Sequence, residues 1–153
     1  MDELDTAIVR ELQTNARRTN RELARQVGIA PSTCLERVRA LHERGVVRGY
    51  HAEIDPRALN RGVEAFVNTR LRPLSRPVID GFRKALIELP EVLAVYVVAG
   101  DDDFLVHVAV QDLDHLHAFL IDRLSRRQEV VGFRSQIIYA SDHKHVRDRL
   151  SDA

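Results

Sequence analysis

Five side chains in one short stretch are of the types that read nucleic-acid bases: Ser32, Thr33, Glu36, Arg37 and Arg39. Serine and threonine hydroxyls donate to phosphates or base edges. An arginine fork fits O6 and N7 of guanine, and a glutamate accepts from N4 of cytosine. Each well-made base contact discriminates by about 1–3 kcal/mol. Arg17, Arg18, Arg21, Arg25 and Arg48 flank this group and suit backbone phosphates, which position a protein without reading sequence. From Arg17 to Arg48 eight arginines stand against three glutamates, a net +5, although the whole chain is formally neutral. From Arg61 onward thirteen basic residues meet fourteen acidic ones. A basic segment on a balanced body is the expected footprint of a nucleic-acid contact, and a merely solvated arginine-rich face would give the same counts.

Other reactive residues form no comparable group. The single cysteine, Cys34, sits among apolar neighbours at helical spacing, which fits a small core residue. One cysteine excludes an internal disulfide and fits a reducing compartment. His115 and His117 are two apart, whereas helical metal ligands want three or four, and His143 and His145 lie in a polar tail. No metal or cofactor site is expected. Gly100-Asp101-Asp102-Asp103 reads as a tight acidic hairpin turn. Phosphate-cradling glycine loops, Ser-His-Asp arrangements and paired carboxylates do not stand out. No 18-residue apolar run exists, and the acidic, amphipathic start MDELDTAIVREL is unlike a signal peptide, so a cytoplasmic protein is expected.

The base-reading residues need a rigid rod, and the sequence around them supplies one. Leu4, Ile8 and Leu12 mark one face of a first helix, Leu4 to Thr14. Thr19 and Glu22 make a capping box that starts a second helix at Asn20 and buries Leu23, Ala24 and Val27. Gly28 suits a left-handed cap, and Pro31 suits the first turn of a third helix running to Arg44. At 100° per residue Cys34, Leu35, Val38 and Leu41 share the buried side. Ser32, Thr33, Glu36, Arg39, Ala40 and Glu43 share the opposite side, with Arg37 on the flank. A three-helix bundle built for protein contacts would carry the same core stripe. Val46 to Ile54 alternates weakly as a strand, and Arg57 to Gly62 reads as a hinge.

Beyond the hinge the period changes. Strands are expected over Glu64–Leu71, Val92–Ala99, Phe104–Val110 and Gly132–Ala140, with helices marked by Val78 to Leu89 and Leu113 to Leu124. The order is β-α-β-β-α-β, and LPEVLAVYVV faintly repeats in RQEVVGFRSQII. Two interlocked βαβ units give a four-stranded antiparallel sheet with both helices on one face. The other face, read as largely apolar, needs a cover, most simply a second copy of the chain.

With these residues in view, the chain resembles the Lrp/AsnC (leucine-responsive, feast/famine) family of transcriptional regulators over nearly its full length. Val27 to Asn60 is similar to that family's recognition helix and the strand leading out of it. VVAGDDDFLVHV resembles its G-x-x-D-x-x-hydrophobic turn through Gly100, Asp103 and Val106, and SQIIYASDHK its last strand. The resemblance implies an α+β protein: an N-terminal winged helix-turn-helix domain, residues 1–56, a hinge, 57–63, and a ferredoxin-like βαββαβ sandwich, 64–153, that oligomerises and senses an effector. It further implies dimers assembling to octamers, with an amino acid bound near the acidic turn by Ala99, Gly100, Asp101, Asp103 and Ser135. Two departures stand out. Asp102 replaces a frequent aromatic residue, and Ala30 replaces a Ser/Thr cap, which weakens that cap by about 1 kcal/mol.

The expected function is a sequence-specific, double-stranded-DNA-binding regulator modulated by an amino acid, neither an enzyme nor a membrane protein. Proteins on the same two-domain plan act as siroheme decarboxylases, for which His107 and His117 would be the nominees. A chromatin-wrapping protein of low base selectivity is a third reading.

Overall fold

The computed structural model describes residues 1–148 and 150. The chain divides into two compact units, Met1–Glu53 with the tail from Asp142, and Ile54–Ser141.

The first unit holds three helices: α1 (Glu3–Thr14), α2 (Asn20–Val27) and α3 (Pro31–Glu43). Asp2 caps α1 by accepting from the Asp5 amide at 2.7 Å. The capping box at α2 forms as its spacing predicts: the Glu22 amide donates to Thr19 Oγ1 and the Thr19 amide to Glu22 Oε2. Gly28 then turns the chain at φ 77°, where a side chain would be strained. Ile8, Leu12, Leu23, Ala24, Cys34 and Leu41 form the core of this unit. Leu35, expected in that core, is 40% exposed. It lies a full 100° round the helix from Cys34, too far to follow it inward.

Residues 46–54, expected as a strand, are not one. A ladder needs a partner strand, and the unit provides none among its described residues. The Val46 and Val47 amides instead donate to the Leu41 carbonyl and close the end of α3. The division between the units also differs from the expected one. A 3-10 turn, Pro56–Leu59, occupies the start of the expected hinge. The tail from Asp142, expected in the second domain, groups with the first unit. Its Arg147 exchanges hydrogen bonds with Gln13, backbone N–H to Oε1 at 2.9 Å and Nε2–H to the carbonyl at 3.1 Å. His145 lies 3.3 Å from Glu53.

The second unit carries β1 (Val63–Leu71), α4 (Arg76–Ile87), β2 (Val92–Val97), β3 (Phe104–Val110), α5 (Leu113–Phe119) and β4 (Val130–Ile138). A π-helical segment, Leu120–Ser125, prolongs α5 and keeps Leu124 in the core. The sheet order is β2-β3-β1-β4 with every pair antiparallel, the ferredoxin-like arrangement. Ala65, Val67, Leu71, Phe104, Val106, Val108 and Val110 point one way, onto Phe82, Leu86, Leu116, Phe119 and Leu124 of the helical layer.

Three differences from expectation follow from this topology. β2 reads as a core strand but lies at an edge, so Tyr96 and Val97 stay exposed. β4 begins two residues early, because Gly132 is inside it: paired with Arg70, it leaves room where an added Cβ would meet the Arg70 guanidinium at 3.4 Å. The open face is mixed rather than largely apolar. Phe66, Leu105, Tyr96 and Ile138 alternate there with Glu64, Asn68, Arg70, His107, Arg134 and Gln136.

Candidate nucleic-acid interface and effector cleft

α3 presents two different flanks. Ser32, Thr33, Glu36 and Arg39 are exposed, and none of their side chains is engaged by another described residue. No side chain caps the helix start at Ala30, so the first-turn amides of Ser32 and Thr33 stay open as donors. Asn20 Nδ2 donates to the Pro31 carbonyl at 2.7 Å and ties the start of α2 to the start of α3.

Arg37 differs from its expected role. Its Nη1 donates to Asp2 Oδ2 at 2.7 Å and to Asp5 Oδ1 at 2.8 Å, on the α1 side of α3. Arg44 Nη2 donates to the second oxygen of Asp5 at 2.8 Å. Asp5 is 5% exposed, and the hydrogen bond from Arg44 together with that from Arg37 holds its carboxyl below the usual aspartate range. The same two carboxylates push the Arg37 guanidinium up. Arg37 is therefore bonded within the unit, toward α1. Its partners lie 35 and 32 residues earlier, beyond the reach of any local pattern.

Among the arginines proposed for phosphates, Arg18 forms an ion pair with Glu11. The side chains of Arg17, Arg21, Arg25 and Arg48 are exposed and make no ion pair. Arg48 borders a groove it shares with Tyr50, His51 and Arg147. Cys34 is wholly buried, and loss of solvent pushes its thiol pKa up.

The acidic turn of the second unit also separates into roles. Asp103 closes the β2–β3 hairpin and does not line an open site. Its Oδ2 accepts from the Leu71 amide at 2.8 Å and from Arg72 Nη1 at 3.3 Å, its own amide donates to the Thr69 carbonyl, and its carbonyl accepts from Val98. Ala99 and Gly100 are exposed in the turn, with Gly100 at φ 139°. Ser135 pairs with Val67, so it belongs to the helix-covered face rather than the open one. Four of the five residues named for the effector thus share the hairpin turn, and Ser135 stands apart on β4.

A cleft of about 400 Å³ does form at the edge of the open face, lined by Arg70, Asp101, Asp102, Gly132, Phe133 and Arg134. Asp102 pairs with Arg134 and accepts from Asn68 Nδ2 at 3.1 Å. Arg70 and Asp101 make no ion pair, so the cleft offers one spare cation and one spare anion. Of these residues only Asp101 was among the expected effector contacts. Arg70 and Arg134 stand 64 positions apart and meet only because β1 and β4 pair.

The histidines nominated for a tetrapyrrole do not converge. His107 pairs across the open face with Phe66 and bonds Glu64 Oε2 through Nε2 at 2.8 Å. His117 is exposed on α5, in the helical layer of the other face. Among the described residues no three His, Cys, Asp or Glu gather as a metal ion requires, and no helix is long and apolar enough to cross a membrane.

Comparison with known proteins agrees with this division of labour. Residues 1–42 match the AsnC-type helix-turn-helix domain, and residues 64–147 match the Lrp/AsnC ligand binding domain. The chain is 40% identical over 139 residues to the HTH-type transcriptional regulator AldR of Mycolicibacterium smegmatis, covering 91% of this chain and 81% of that one. It is 36% identical over 137 residues to the leucine-responsive regulatory protein of Rhizobium meliloti, covering 90% and 88%. Among solved structures, a transcriptional regulator of Neisseria meningitidis in complex with L-Met superposes with a TM-score of 0.87 at 30% identity, covering 98% of this chain and 96% of that one. The family is one of transcriptional regulators rather than enzymes, which removes the decarboxylase reading. The helix-turn-helix unit, the ligand-binding sheet and these relatives together establish that the chain is a DNA-binding transcriptional regulator of the Lrp/AsnC family.

Proposed function

We propose that this regulator reads its operator with Ser32, Thr33, Glu36 and Arg39, and holds the phosphates with Arg17, Arg21, Arg25 and Arg48. The observation that carries the reading is the row of exposed, unengaged polar side chains along α3, opposite Cys34 and Leu41 in the core. Two copies present two such helices to a pseudo-palindromic site. The apolar members of the open face, Phe66, Leu105, Tyr96 and Ile138, support self-association, and octamers are the further step the family resemblance implies. Its place of work is the compartment that holds the DNA, the cytoplasm.

The effector in this reading is a free amino acid bound in the Arg70–Asp101 cleft. A zwitterion matches the spare charges, α-carboxylate to Arg70 and α-ammonium to Asp101. Support comes from the Neisseria regulator, whose solved complex contains L-Met. The ligand acts on DNA affinity through its unequal affinity for different assemblies. Isothermal titration with a panel of amino acids, their amides and their N-acetyl forms tests this. Binding is expected for free amino acids only, weakened at least about tenfold in Arg70→Ala and in Asp101→Ala, a loss of about 1.4 kcal/mol. Unchanged affinity in both variants moves the ligand elsewhere.

A further inference from the structure

Asp5 is the one carboxylate that is buried among the described residues. An ionised carboxylate out of water is unfavourable unless it is paired and hydrogen-bonded, and this one is paired twice. One oxygen accepts from Arg37 and the other from Arg44, each at 2.8 Å. Asp2, which caps α1, holds the same Arg37 nitrogen at 2.7 Å. Arg37 is on α3 and Arg44 is its C-cap, seven positions on, so the two anchors are two helical turns apart on one flank.

Two anchors along one flank do what the apolar core cannot. Burial of Ile8, Cys34 and Leu41 presses α3 onto its neighbours, but hydrophobic attraction is non-directional and tolerates a small roll about the helix axis. Charge-assisted hydrogen bonds at two heights are directional and resist that roll. The roll decides where Ser32, Thr33, Glu36 and Arg39 point, and recognition of this kind needs side chains placed within about 0.5 Å and 10–20°.

We infer that Asp5 is a positioning residue for sequence readout: it sets the roll of α3 through Arg37 and Arg44, and Arg37 serves this clamp instead of touching DNA. The inference rests on α3 being the DNA-reading helix, as proposed above. It assigns selectivity to a residue on α1, a helix without a base-reading side chain in that scheme, and it removes one of the two α3 arginines from the reading set.

The test uses the full chain and an operator obtained by selection from a random duplex pool, with affinities measured by fluorescence anisotropy for operator and scrambled duplex across a salt series. In Arg37→Gln the slope of log affinity against log salt stays at the wild-type value, while discrimination between the duplexes falls about tenfold, spread over all positions of the site. An arginine on a phosphate would instead lower the slope by about 0.9, and one on a base would lose discrimination at a single base pair. Either result overturns the clamp. In Asp5→Asn two cations are released, so the slope steepens by up to about 0.9 for each while discrimination falls, and Asp5→Glu recovers part of it. Loss of folding alone would lower both affinities together and leave slope and discrimination untouched, which also overturns the inference. Should Asp5→Asn fail to fold, Arg37→Gln and Arg44→Gln carry the test, because each leaves Asp5 a partner. A wild-type chain that selects no sequence overturns the DNA-reading assignment itself, and this inference with it.

Discussion

Asp5 contributes to stability in a way acid can remove. Its folded carboxyl titrates below the ordinary value of about 3.9, chiefly because Arg44 and then Arg37 donate to it, with burial and, less, the like charge of Asp2 opposing. Its stabilisation is therefore complete above the ordinary value and is lost as the pH falls through it toward the lowered folded value. Chemical denaturation from pH 7 to pH 2 should show an acid limb below about pH 4 that shrinks in Asp5→Asn, with that variant weaker at pH 7 by about 2 kcal/mol. Cys34 gives a second expectation at this scale. Wholly buried and with its thiol pushed up, it should react with a thiol reagent only as fast as the unit opens, and at full speed in denaturant. The sequence makes Cys34 legible because its apolar neighbours recur at helical spacing. Arg37 is of a type that suits a base, and its bonds to Asp2 and Asp5, more than thirty positions earlier, leave no local mark in the sequence.

The elements were the most legible layer. Local chemistry carries most of them: the Thr19–Glu22 box, Pro31 at a helix start, and the large apolar residues at every second position of β3. Gly28 shows how local the rule is. Its φ of 77° is easy only for glycine, and nothing lies within 4 Å of an added Cβ. Gly28→Ala should therefore lower stability by about 1 kcal/mol through backbone strain alone, read as a shifted urea midpoint with an unchanged slope. Elements that depend on distant partners were less legible. The strand expected over 46–54 fails for want of a partner, and β2 is exposed because the sheet order puts it at an edge. Asp103, expected as a ligand carboxylate, clasps the hairpin to β1 by accepting from the Leu71 amide. Asp103→Ala should lower thermal stability, equivalent to about 1–3 kcal/mol, because it leaves the Leu71 amide without its acceptor.

At the scale of the molecule, the helix-turn-helix match falls on a helical unit with a free polar row, and the ligand-binding match covers a sheet unit with a charged cleft. The first was readable in sequence because one continuous helix carries the row. The second was readable only as an acidic turn, since Arg70, Asp101 and Arg134 come from β1, the β2–β3 hairpin and β4 and are joined by strand register. The matched segment 1–42 falls on the first unit, and the segment 64–147 covers most of the second and runs on into the tail from Asp142. The claim on which everything else depends is that the outer row of α3 reads base pairs, and selection of binding sites by the wild-type chain and by Arg39→Ala tests it most directly. The wild-type chain should enrich a recurring sequence, and Arg39→Ala should relax the preference at one position per half-site by about 1–3 kcal/mol while the rest of the site persists. A wild-type chain that enriches nothing, or an Arg39→Ala profile identical to it at every position, would contradict the account.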